Sequence, residues 1–253
     1  MTEPARDAAL VTGGARRIGR QIALTLAGAG FDVAVHHRAS PDEAAEVAAA
    51  IEASGRRAAI VQADLADETA ARALTAQAAA ALGPLTVLVN NASVFLDDRV
   101  GALGRETWDA HLEVNLRAPL VLAETFAAQA PDGSCIVNLL DQRVLRPNPQ
   151  FFSYAVSKAG LWFATRTLAQ ALAPRIRVNG VGPGPTLPSI HQSPAQFEAE
   201  ATHTPLGRRA TPQDIAAAVL YLIDAPGVTG QMIAVDGGQH LAWRTPDIVE
   251  QGL

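Results

Sequence analysis

The sequence predicts an α/β fold with a seven-stranded parallel sheet, doubly wound and flanked by helices on both faces. Seven short apolar runs recur along the 253 residues, and helical segments rich in Ala and Leu lie between them. Near-continuous apolar runs, without alternation, are typical of strands buried on both faces. No repeat, low-complexity linker or change in composition divides the chain. We therefore expect residues 1–253 to form a single domain.

The apolar runs give the positions of the strands in order. They are Ala8–Thr12, Val33–His37, Ala58–Gln62, Leu85–Asn90, Cys135–Leu140, Ile176–Val181 and Met232–Val235. Ser40, Pro41 and Glu43 predict a helix start, because serine can cap free N–H groups and proline fits the first helical position. Gly55 is expected to end that helix. Thr211–Asp214 repeats the start signal later in the chain.

The composition excludes several classes of protein. Hydrophobic residues make up 49% and charged residues 18%, which excludes intrinsic disorder. A net charge of −5 predicts no general attraction to nucleic acid or to an anionic membrane. The polar start Met1–Asp7 lacks the apolar core of a secretory signal, and no run reaches the roughly 18 apolar residues of a spanning helix. These features predict a soluble cytoplasmic protein, and Cys135 is expected to be a buried core residue.

A glycine-rich turn, Thr12–Gly19, follows the first predicted strand and opens the first helix. Its glycines let the backbone turn tightly and approach a pyrophosphate. The helix N-terminus supplies free N–H groups and the positive end of the helix dipole. At the start of a βαβ pattern, this turn predicts a dinucleotide-binding site.

The end of the second strand indicates which dinucleotide binds. An NAD site usually has a carboxylate there, about 20 residues beyond the glycine turn, to bind the ribose hydroxyls. Here the strand ends in His36-His37-Arg38-Ala39-Ser40, with no acid at its tip. Arg38 and Ser40 can bind a 2′-phosphate, and Arg16 can reach the same group. We therefore predict NADP(H) as the cofactor.

The segment 183–209 is the least regular part of the chain. It contains five prolines, at positions 183, 185, 188, 194 and 205. A loop of this length inside a compact domain is usually functional. We expect it to cover the substrate and to contain a short helix around Pro194–Ala201.

Further motifs follow one another in a recognisable order. They are Asp64-Leu65, Asn90-Asn91-Ala92, Asn115, the pair Tyr154 and Lys158, Pro183-Gly184, and Asp236-Gly237-Gly238. Together with the glycine turn, they resemble the short-chain dehydrogenase/reductase family over essentially the whole chain. The resemblance implies a Rossmann-type fold and an NADP-dependent oxidoreductase.

Tyr154 and Lys158 are the pair expected to carry the chemistry. Residues four apart share one face of a helix, and a lysine ammonium beside a tyrosine is expected to lower the pKa of the phenol. A phenol tuned in this way can protonate a carbonyl or imine as hydride arrives. The resemblance also implies that Lys158 contacts the nicotinamide ribose and that Asn115 holds a water linking Lys158 to solvent.

The positions that match the family's cofactor site run from the glycine turn to the start of the substrate loop. They are Gly13, Arg16, Arg17, Ile18, Gly19, His37, Arg38, Ser40, Asp64, Leu65, Asn91, Ala92, Ser93, Tyr154, Lys158, Pro183, Gly184 and Thr186. No metal site is predicted.

Three departures from the usual family pattern point to one branch. Arg17 and Ser93 stand where glycine is usual, and Asp141 stands thirteen residues before Tyr154, where Ser or Thr is usual. Jointly they are similar to the pteridine reductases, which include the bacterial dihydromonapterin reductases. Phe95 matches the ring that this branch stacks on a pterin, and Arg17 and Ser93 suit the polar edge of that ring.

Asp141 is the expected acid. A carboxyl near Tyr154 can relay protons when a C=N bond is reduced, and burial would raise its pKa. Alternatively, Asp141 only pairs with a neighbour such as Arg17 or Lys158. Asp141, Tyr154, Lys158 and Asn115 are the predicted catalytic residues, and Arg17, Ser93, Phe95, Asp141 and Tyr154 are the predicted substrate-binding residues.

Three functions fit these observations. The first is an NADPH-dependent reductase of a pterin: a dihydropterin, a dihydrofolate-like molecule or dihydromonapterin. The second is a general NADPH-dependent carbonyl reductase of ketones or sugars, in which Asp141 has no acid role. The third is an NADP-sensing protein without turnover. Family analogy also implies a homotetramer, with contacts through helices near Arg105–Gln129 and Phe152–Ala173 and through Met232–Trp243.

Overall fold

In the computed structural model, which describes residues 7–188 and 193–243, seven parallel strands form one sheet. The strands are β1 Ala8–Val11, β2 Asp32–His37, β3 Ala58–Gln62, β4 Leu85–Asn90, β5 Ser134–Leu139, β6 Ile176–Pro183 and β7 Met232–Val235. Their order across the sheet is β3-β2-β1-β4-β5-β6-β7. The predicted doubly wound parallel sheet is confirmed, with β6 running two residues longer than the sequence indicated.

Helices follow the strands along the chain. They are α1 Arg17–Gly28, α2 Pro41–Ala53, α3 Glu68–Leu82, α4 Arg105–Leu112, α5 Ala118–Ala127, α6 Phe152–Leu172, α7 Pro194–Thr202 and α8 Pro212–Asp224. A π-helical segment, Glu113–Arg117, joins α4 to α5, so the helix expected near Arg105–Gln129 is interrupted. The short helix expected in the substrate loop is α7. Within the described ranges, no helix combines the length and apolarity needed to cross a bilayer.

The two faces of the sheet pack against different helices, because successive strand residues point to opposite sides. On one face, Ala9 and Val11 pack with apolar residues of α1, α2 and α8. On the other face, Ala8 and Leu10 pack with apolar residues of α3, α5 and α6. Burying one Leu or Ile side chain completely contributes about 1.5–3 kcal/mol. Apolar burial on both faces is therefore what holds the sheet in place.

The predicted helix starts differ in how they are capped. Thr211 and Asp214 form a capping box, in which the Thr211 hydroxyl accepts from the Asp214 N–H and the Asp214 carboxylate accepts from the Thr211 N–H. Ser40 also stands at a cap position, but its hydroxyl makes no cap hydrogen bond. The helix therefore starts where Ser40 and Pro41 predicted, but without the expected serine hydrogen bond; the backbone N–H of Ser40 donates to His37 Nδ1 at 3.2 Å. Gly55 ends α2 with a φ of +82°, as expected.

Cys135 is a core residue, as expected. It lies in β5 with 1% of its surface exposed. Burial raises the pKa of its thiol to about 11. The thiol therefore stays protonated and unreactive at neutral pH.

The order of the strands places a crevice at one end of the sheet. The chain builds β2 and β3 on one side of β1 and then returns to build β4 to β7 on the other side. Loops that leave the carboxyl ends of β1 and β4 therefore diverge, and ligands of open α/β sheets bind at this point.

Candidate active site

A cleft of about 960 Å³ opens at the carboxyl ends of the strands. Every predicted cofactor and substrate residue lines it, from Gly13 to Thr186. Among the predicted catalytic residues, Asp141, Tyr154 and Lys158 line the cleft, whereas Asn115 does not. The parallel topology thus brings motifs that are far apart in the sequence into one site.

The glycine turn is packed too tightly to accept side chains. A Cβ on Gly19 would lie 2.1 Å from the Gly13 oxygen and 2.5 Å from Asn91 Nδ2. Gly13 has a φ of +62°, a left-handed conformation that glycine adopts without strain. Asn91 Nδ2 donates to the Thr12 and Gly13 oxygens at 2.8 and 3.2 Å. The turn is therefore held open towards the cleft at the N-terminus of α1, where it fits a pyrophosphate.

His36 holds the same turn, and the sequence reasoning missed it. The Gly13 N–H donates to His36 Nδ1 at 3.0 Å, so Nε2 carries the proton and donates to the Ala63 oxygen at 3.1 Å. The side chain is buried, and burial lowers the pKa of His36 to about 4. His36 is therefore neutral at neutral pH. The sequence offered one signal of this role, a histidine in the interior of a buried strand.

The adenosine end of the cleft has the features of a 2′-phosphate site. Arg38 is exposed at the tip of β2 beside Ser40. Asp32 lies at the opposite end of β2, where Arg56 and Arg57 each pair with it at 2.7 Å. No carboxylate therefore stands at the tip of the strand to bind ribose hydroxyls. Arg16, by contrast, pairs with Glu43 at 3.6 Å, so its guanidinium is shared with a surface carboxylate.

Tyr154 and Lys158 lie one turn apart on α6 and face the end of β5. The Tyr154 hydroxyl donates to Asp141 Oδ2 at 2.9 Å, and Lys158 Nζ donates to the Leu139 oxygen at 2.8 Å. Tyr154 is 7% exposed and Lys158 is 3% exposed. Both reactive groups are thus largely shielded from bulk water.

The expected lowering of the Tyr154 pKa is wrong for this arrangement. Burial and the adjacent Asp141 carboxylate raise the pKa of Tyr154 well above its usual value. Burial also lowers the pKa of Lys158 to about 8, and its ammonium group lies 5.7 Å from the centre of the tyrosine ring. The desolvation of Tyr154 and its negative neighbour outweigh the charge of the Arg143 guanidinium, which lowers this pKa. Tyr154 is therefore a neutral phenol that can donate a proton.

Asp141 begins a short 3-10 turn, Gln142–Val144, which sets its partners. Its Oδ1 accepts from the Arg143 N–H at 2.8 Å and its Oδ2 accepts from Tyr154. It makes no hydrogen bond to Arg17 or Lys158 in the described part of the chain. Neither of the two partners named for the alternative pairs with Asp141, because the turn directs the carboxylate towards Tyr154 and towards Arg143, whose Nη1 lies 3.9 Å from Oδ2.

Asn115 lies in the π-helical segment and is fully buried. Its Oδ1 accepts from the Val94 N–H at 2.7 Å and the Ser93 hydroxyl at 3.1 Å. Its Nδ2 donates to the Val94 oxygen at 2.9 Å and to Ser157 at 3.2 Å. Asn115 therefore holds the segment that carries Ser93 against α6, and its link to Lys158 through water stays a prediction.

Phe95 is one of three aromatic rings at the substrate end of the cleft. It stacks on Phe151, with ring centres 4.2 Å apart and planes inclined by 22°. It also meets Tyr154 edge-on at 4.7 Å. Phe151 is the cap residue immediately before α6, with a φ of +54°, and the sequence reasoning missed it. The rings give the site an apolar wall beside the reactive phenol.

Arg17 connects the glycine turn to the substrate loop. Its guanidinium donates to the Leu187 and Pro188 oxygens at 3.3 and 3.0 Å. Both hydrogen bonds come from Nη2, and the expected contact of Arg17 with a pterin edge remains a prediction. Positions 189–192 of the predicted loop lie outside the described residues. Thr186, two residues after Gly184, is buried and donates to the Gly184 oxygen at 3.0 Å.

Known proteins are similar to this chain in sequence and architecture. A family model described as enoyl-(acyl carrier protein) reductase matches residues 13–240. FolM alternative dihydrofolate reductase 1 from Brucella canis, solved with NADP, is 51% identical, with a TM-score of 0.93 and coverage of 97% of this chain and 98% of that chain. Its counterpart from Brucella suis, also with NADP, is 51% identical with a TM-score of 0.93, covering 98% of this chain and 100% of that one.

A further relative is named for the reduction of a different class of substrate. The 3-oxoacyl-[acyl-carrier-protein] reductase FabG of Staphylococcus aureus is 34% identical over 240 residues, which are 92% of this chain and 98% of FabG. The predicted NADP(H) agrees with the cofactor of the Brucella neighbours. The matched family model, the relatives and the residues in the cleft agree. The chain therefore belongs to the short-chain dehydrogenase/reductase family of oxidoreductases.

Proposed function

We propose that this protein is an NADPH-dependent reductase of a pterin. The observation that carries the proposal is the hydrogen bond between Asp141 and Tyr154 beside the Phe95 ring. A carboxyl in contact with the reactive phenol suits reduction of a C=N bond, which needs a proton source at nitrogen. The 51% identity to the two FolM alternative dihydrofolate reductases supports the same substrate class.

The cleft fits a phosphorylated dinucleotide. The glycine turn leaves room for a pyrophosphate, and Arg38 and Ser40 suit the 2′-phosphate. Lys158 is the residue proposed to hold the nicotinamide ribose. NADPH supplies the hydride when it is bound at this position.

Phe95 and its neighbours suit a flat, conjugated substrate. Stacking on an aromatic ring contributes about 0.5–1.5 kcal/mol beyond burial alone. The Ser93 hydroxyl stands two residues from Phe95 and is held by Asn115 at 3.1 Å. A pterin has both an apolar face and a polar edge, so it uses both kinds of contact.

Tyr154 and Asp141 provide the proton in this proposal. Reduction of a C=N bond adds one hydride to carbon and one proton to nitrogen. Tyr154 remains protonated at neutral pH because burial and Asp141 raise its pKa, so it gives its proton to nitrogen. The Asp141 carboxylate then takes up a proton from solvent and passes it to the phenolate across the 2.9 Å contact, which restores the resting site.

A general carbonyl reductase is the second candidate. The 34% identity to FabG favours it, and Tyr154 and Lys158 suit ketone reduction equally well. In that case Asp141 has no acid role. A serine at position 141 would then support the reaction as well as the aspartate does.

Steady-state NADPH oxidation with dihydrobiopterin and with a panel of ketones tests the proposal. We expect Asp141→Ser to lower kcat for the pterin about 100-fold and Tyr154→Phe to lower it at least as much. The NADPH Kd should stay within about twofold, because neither change removes a phosphate contact. Asp97→Ser is the matched control, since Asp97 lines the same cleft but pairs with Arg99 at 2.8 Å. Equal pterin turnover by Asp141→Ser and the parent would remove the acid role.

A further inference from the structure

Arg143 lies in the cleft and has no role in the proposed chemistry. It belongs to the 3-10 turn that follows Asp141, and its side chain is 15% exposed. Its Nε is buried and has no hydrogen-bond partner in residues 7–188 and 193–243. A buried donor without an acceptor is destabilising unless a ligand supplies one.

The surroundings of the Arg143 guanidinium are mostly aromatic. It lies 5.7 Å from the centre of the Phe95 ring and 5.4 Å from that of Phe151. The nearest described carboxylate oxygen is Asp141 Oδ2, at 3.9 Å from Nη1, which is beyond hydrogen-bond distance. The two Asp141 oxygens already accept from Tyr154 and from the Arg143 backbone. The charged end of Arg143 thus retains donors for another acceptor.

Other arginines that line the cleft differ from Arg143. Arg99 pairs with Asp97 at 2.8 Å and its side chain is 64% exposed. Arg17 donates to the two carbonyls of the substrate loop. Arg143 combines a shielded position with unused donors and direct contact with the ring expected to stack on the substrate.

We infer that Arg143 binds an anionic group, a carboxylate or a phosphate, on the side chain of the pterin substrate. A ring stacked on Phe95 places its substituents within reach of the guanidinium, whose planar fork matches the two oxygens of such a group. The enzyme then selects pterins with an acidic side chain over neutral ones. This inference rests on the proposed pterin reduction.

Matched substrate pairs test the inference. Dihydrofolate carries two carboxylates that its dimethyl ester replaces by neutral methyl esters, and the phosphate ester of dihydroneopterin carries one phosphate that dihydroneopterin lacks. The parent should show a kcat/KM at least about tenfold higher for one charged member than for its neutral partner, expressed mainly in KM. The pair that shows the difference identifies carboxylate or phosphate as the group.

Arg143→Met should abolish the preference, because methionine keeps apolar contact with the rings and removes the charge. Arg143→Lys should retain part of it, since the charge remains without the fork. Arg99→Met is the matched control and should keep the full preference. NADPH binding, followed by fluorescence, verifies that each variant is folded.

The outcomes separate this inference from the proposed function. Equal kcat/KM values for charged and neutral partners in the parent overturn the role of Arg143 and leave pterin reduction standing. The role of Arg143 is also overturned, with pterin reduction still standing, if Arg143→Met and Arg143→Lys both keep the preference for the charged substrate. Absence of turnover with every pterin, dihydrobiopterin included, overturns pterin reduction and the inference with it.

Discussion

Arg17 adopts a backbone conformation that favours glycine, with a φ of +53°. A side chain in the left-handed region costs about 1–2 kcal/mol, which explains why the family pattern has glycine at this position. Here the guanidinium is bound to Leu187 and Pro188, 170 and 171 residues away. These long-range hydrogen bonds offset part of the strain.

Replacing Arg17 by alanine and by glycine separates strain from contact. Both variants lose the guanidinium, but only glycine relieves the backbone. We expect Arg17→Gly to be more stable than Arg17→Ala by about 1 kcal/mol in urea unfolding. The same pair at Arg20, an exposed position inside α1, should show the opposite order, because glycine weakens a helix interior by about 1 kcal/mol. If the glycine and alanine variants rank in the same order of stability at positions 17 and 20, the backbone of Arg17 is not strained.

The start of α6 is fixed by a buried chain of hydrogen bonds. The Leu96 N–H donates to His111 Nε2 at 3.0 Å, so Nδ1 carries the proton and donates to the Ser153 hydroxyl at 2.6 Å. That hydroxyl donates to Asp98, whose Oδ1 also accepts from the Ser153 N–H at 3.0 Å. The chain joins α4, the Phe95 loop and the helix turn that carries Tyr154. It therefore positions the reactive phenol.

Removing the imidazole of His111 tests this connection. His111→Leu leaves the Leu96 N–H without an acceptor and the Ser153 hydroxyl without a donor. We expect a loss of about 2–6 kcal/mol in the free energy of unfolding, at roughly 1–3 kcal/mol for each of the two buried groups. His111→Gln, which keeps one acceptor and one donor, should lose less. His203→Leu, at an exposed histidine, is the control, and an equal loss there would contradict the network.

The stability of the whole molecule depends on pH through His36. Burial lowers its pKa to about 4 in the folded protein, against about 6.5 in the unfolded chain. The unfolded state therefore binds more protons between these values, so stability is present above pH 6.5 and is lost as the pH falls towards 4. Between pH 7 and pH 5, the free energy of unfolding falls by about 2 kcal/mol through His36 alone.

Urea unfolding at pH 7 and pH 5 measures this loss. From pH 7 to pH 5, the free energy of unfolding of the parent should fall by about 2 kcal/mol more than that of His36→Gln. His203→Gln should behave like the parent, because His203 is exposed. Identical losses in the parent and in His36→Gln would assign the acid sensitivity to other groups.

The assembly of the molecule stays a prediction. Exposed apolar side chains occur on two elements outside the cleft, with Phe163 on α6 at 68% and Tyr221 on α8 at 57%. Trp243, near the end of the expected C-terminal contact, is 61% exposed. Phe163 and Trp243 belong to segments through which family analogy implies a homotetramer, whereas Tyr221 lies outside those segments. Sedimentation of the purified chain gives the oligomeric state directly.

The strands, the glycine turn and most of the cleft could be predicted from the amino-acid sequence. Apolar runs locate strands because burial on both faces of a parallel sheet leaves little room for polar residues. Motifs after successive strands then meet, because the carboxyl ends of parallel strands lie at one edge. This is why residues as far apart as Gly13 and Thr186 were predicted to share one site and line one cleft.

The tertiary structure alone decided the protonation states and the long-range partners. The pKa of Tyr154 is set mainly by burial and by Asp141, and a spacing of four residues between Tyr154 and Lys158 reports neither. The contacts of Arg17, His36 and His111 join positions far apart in sequence, so no local pattern predicts them. Arg143 stands out only after folding, because its Nε loses water without gaining an acceptor among the described residues.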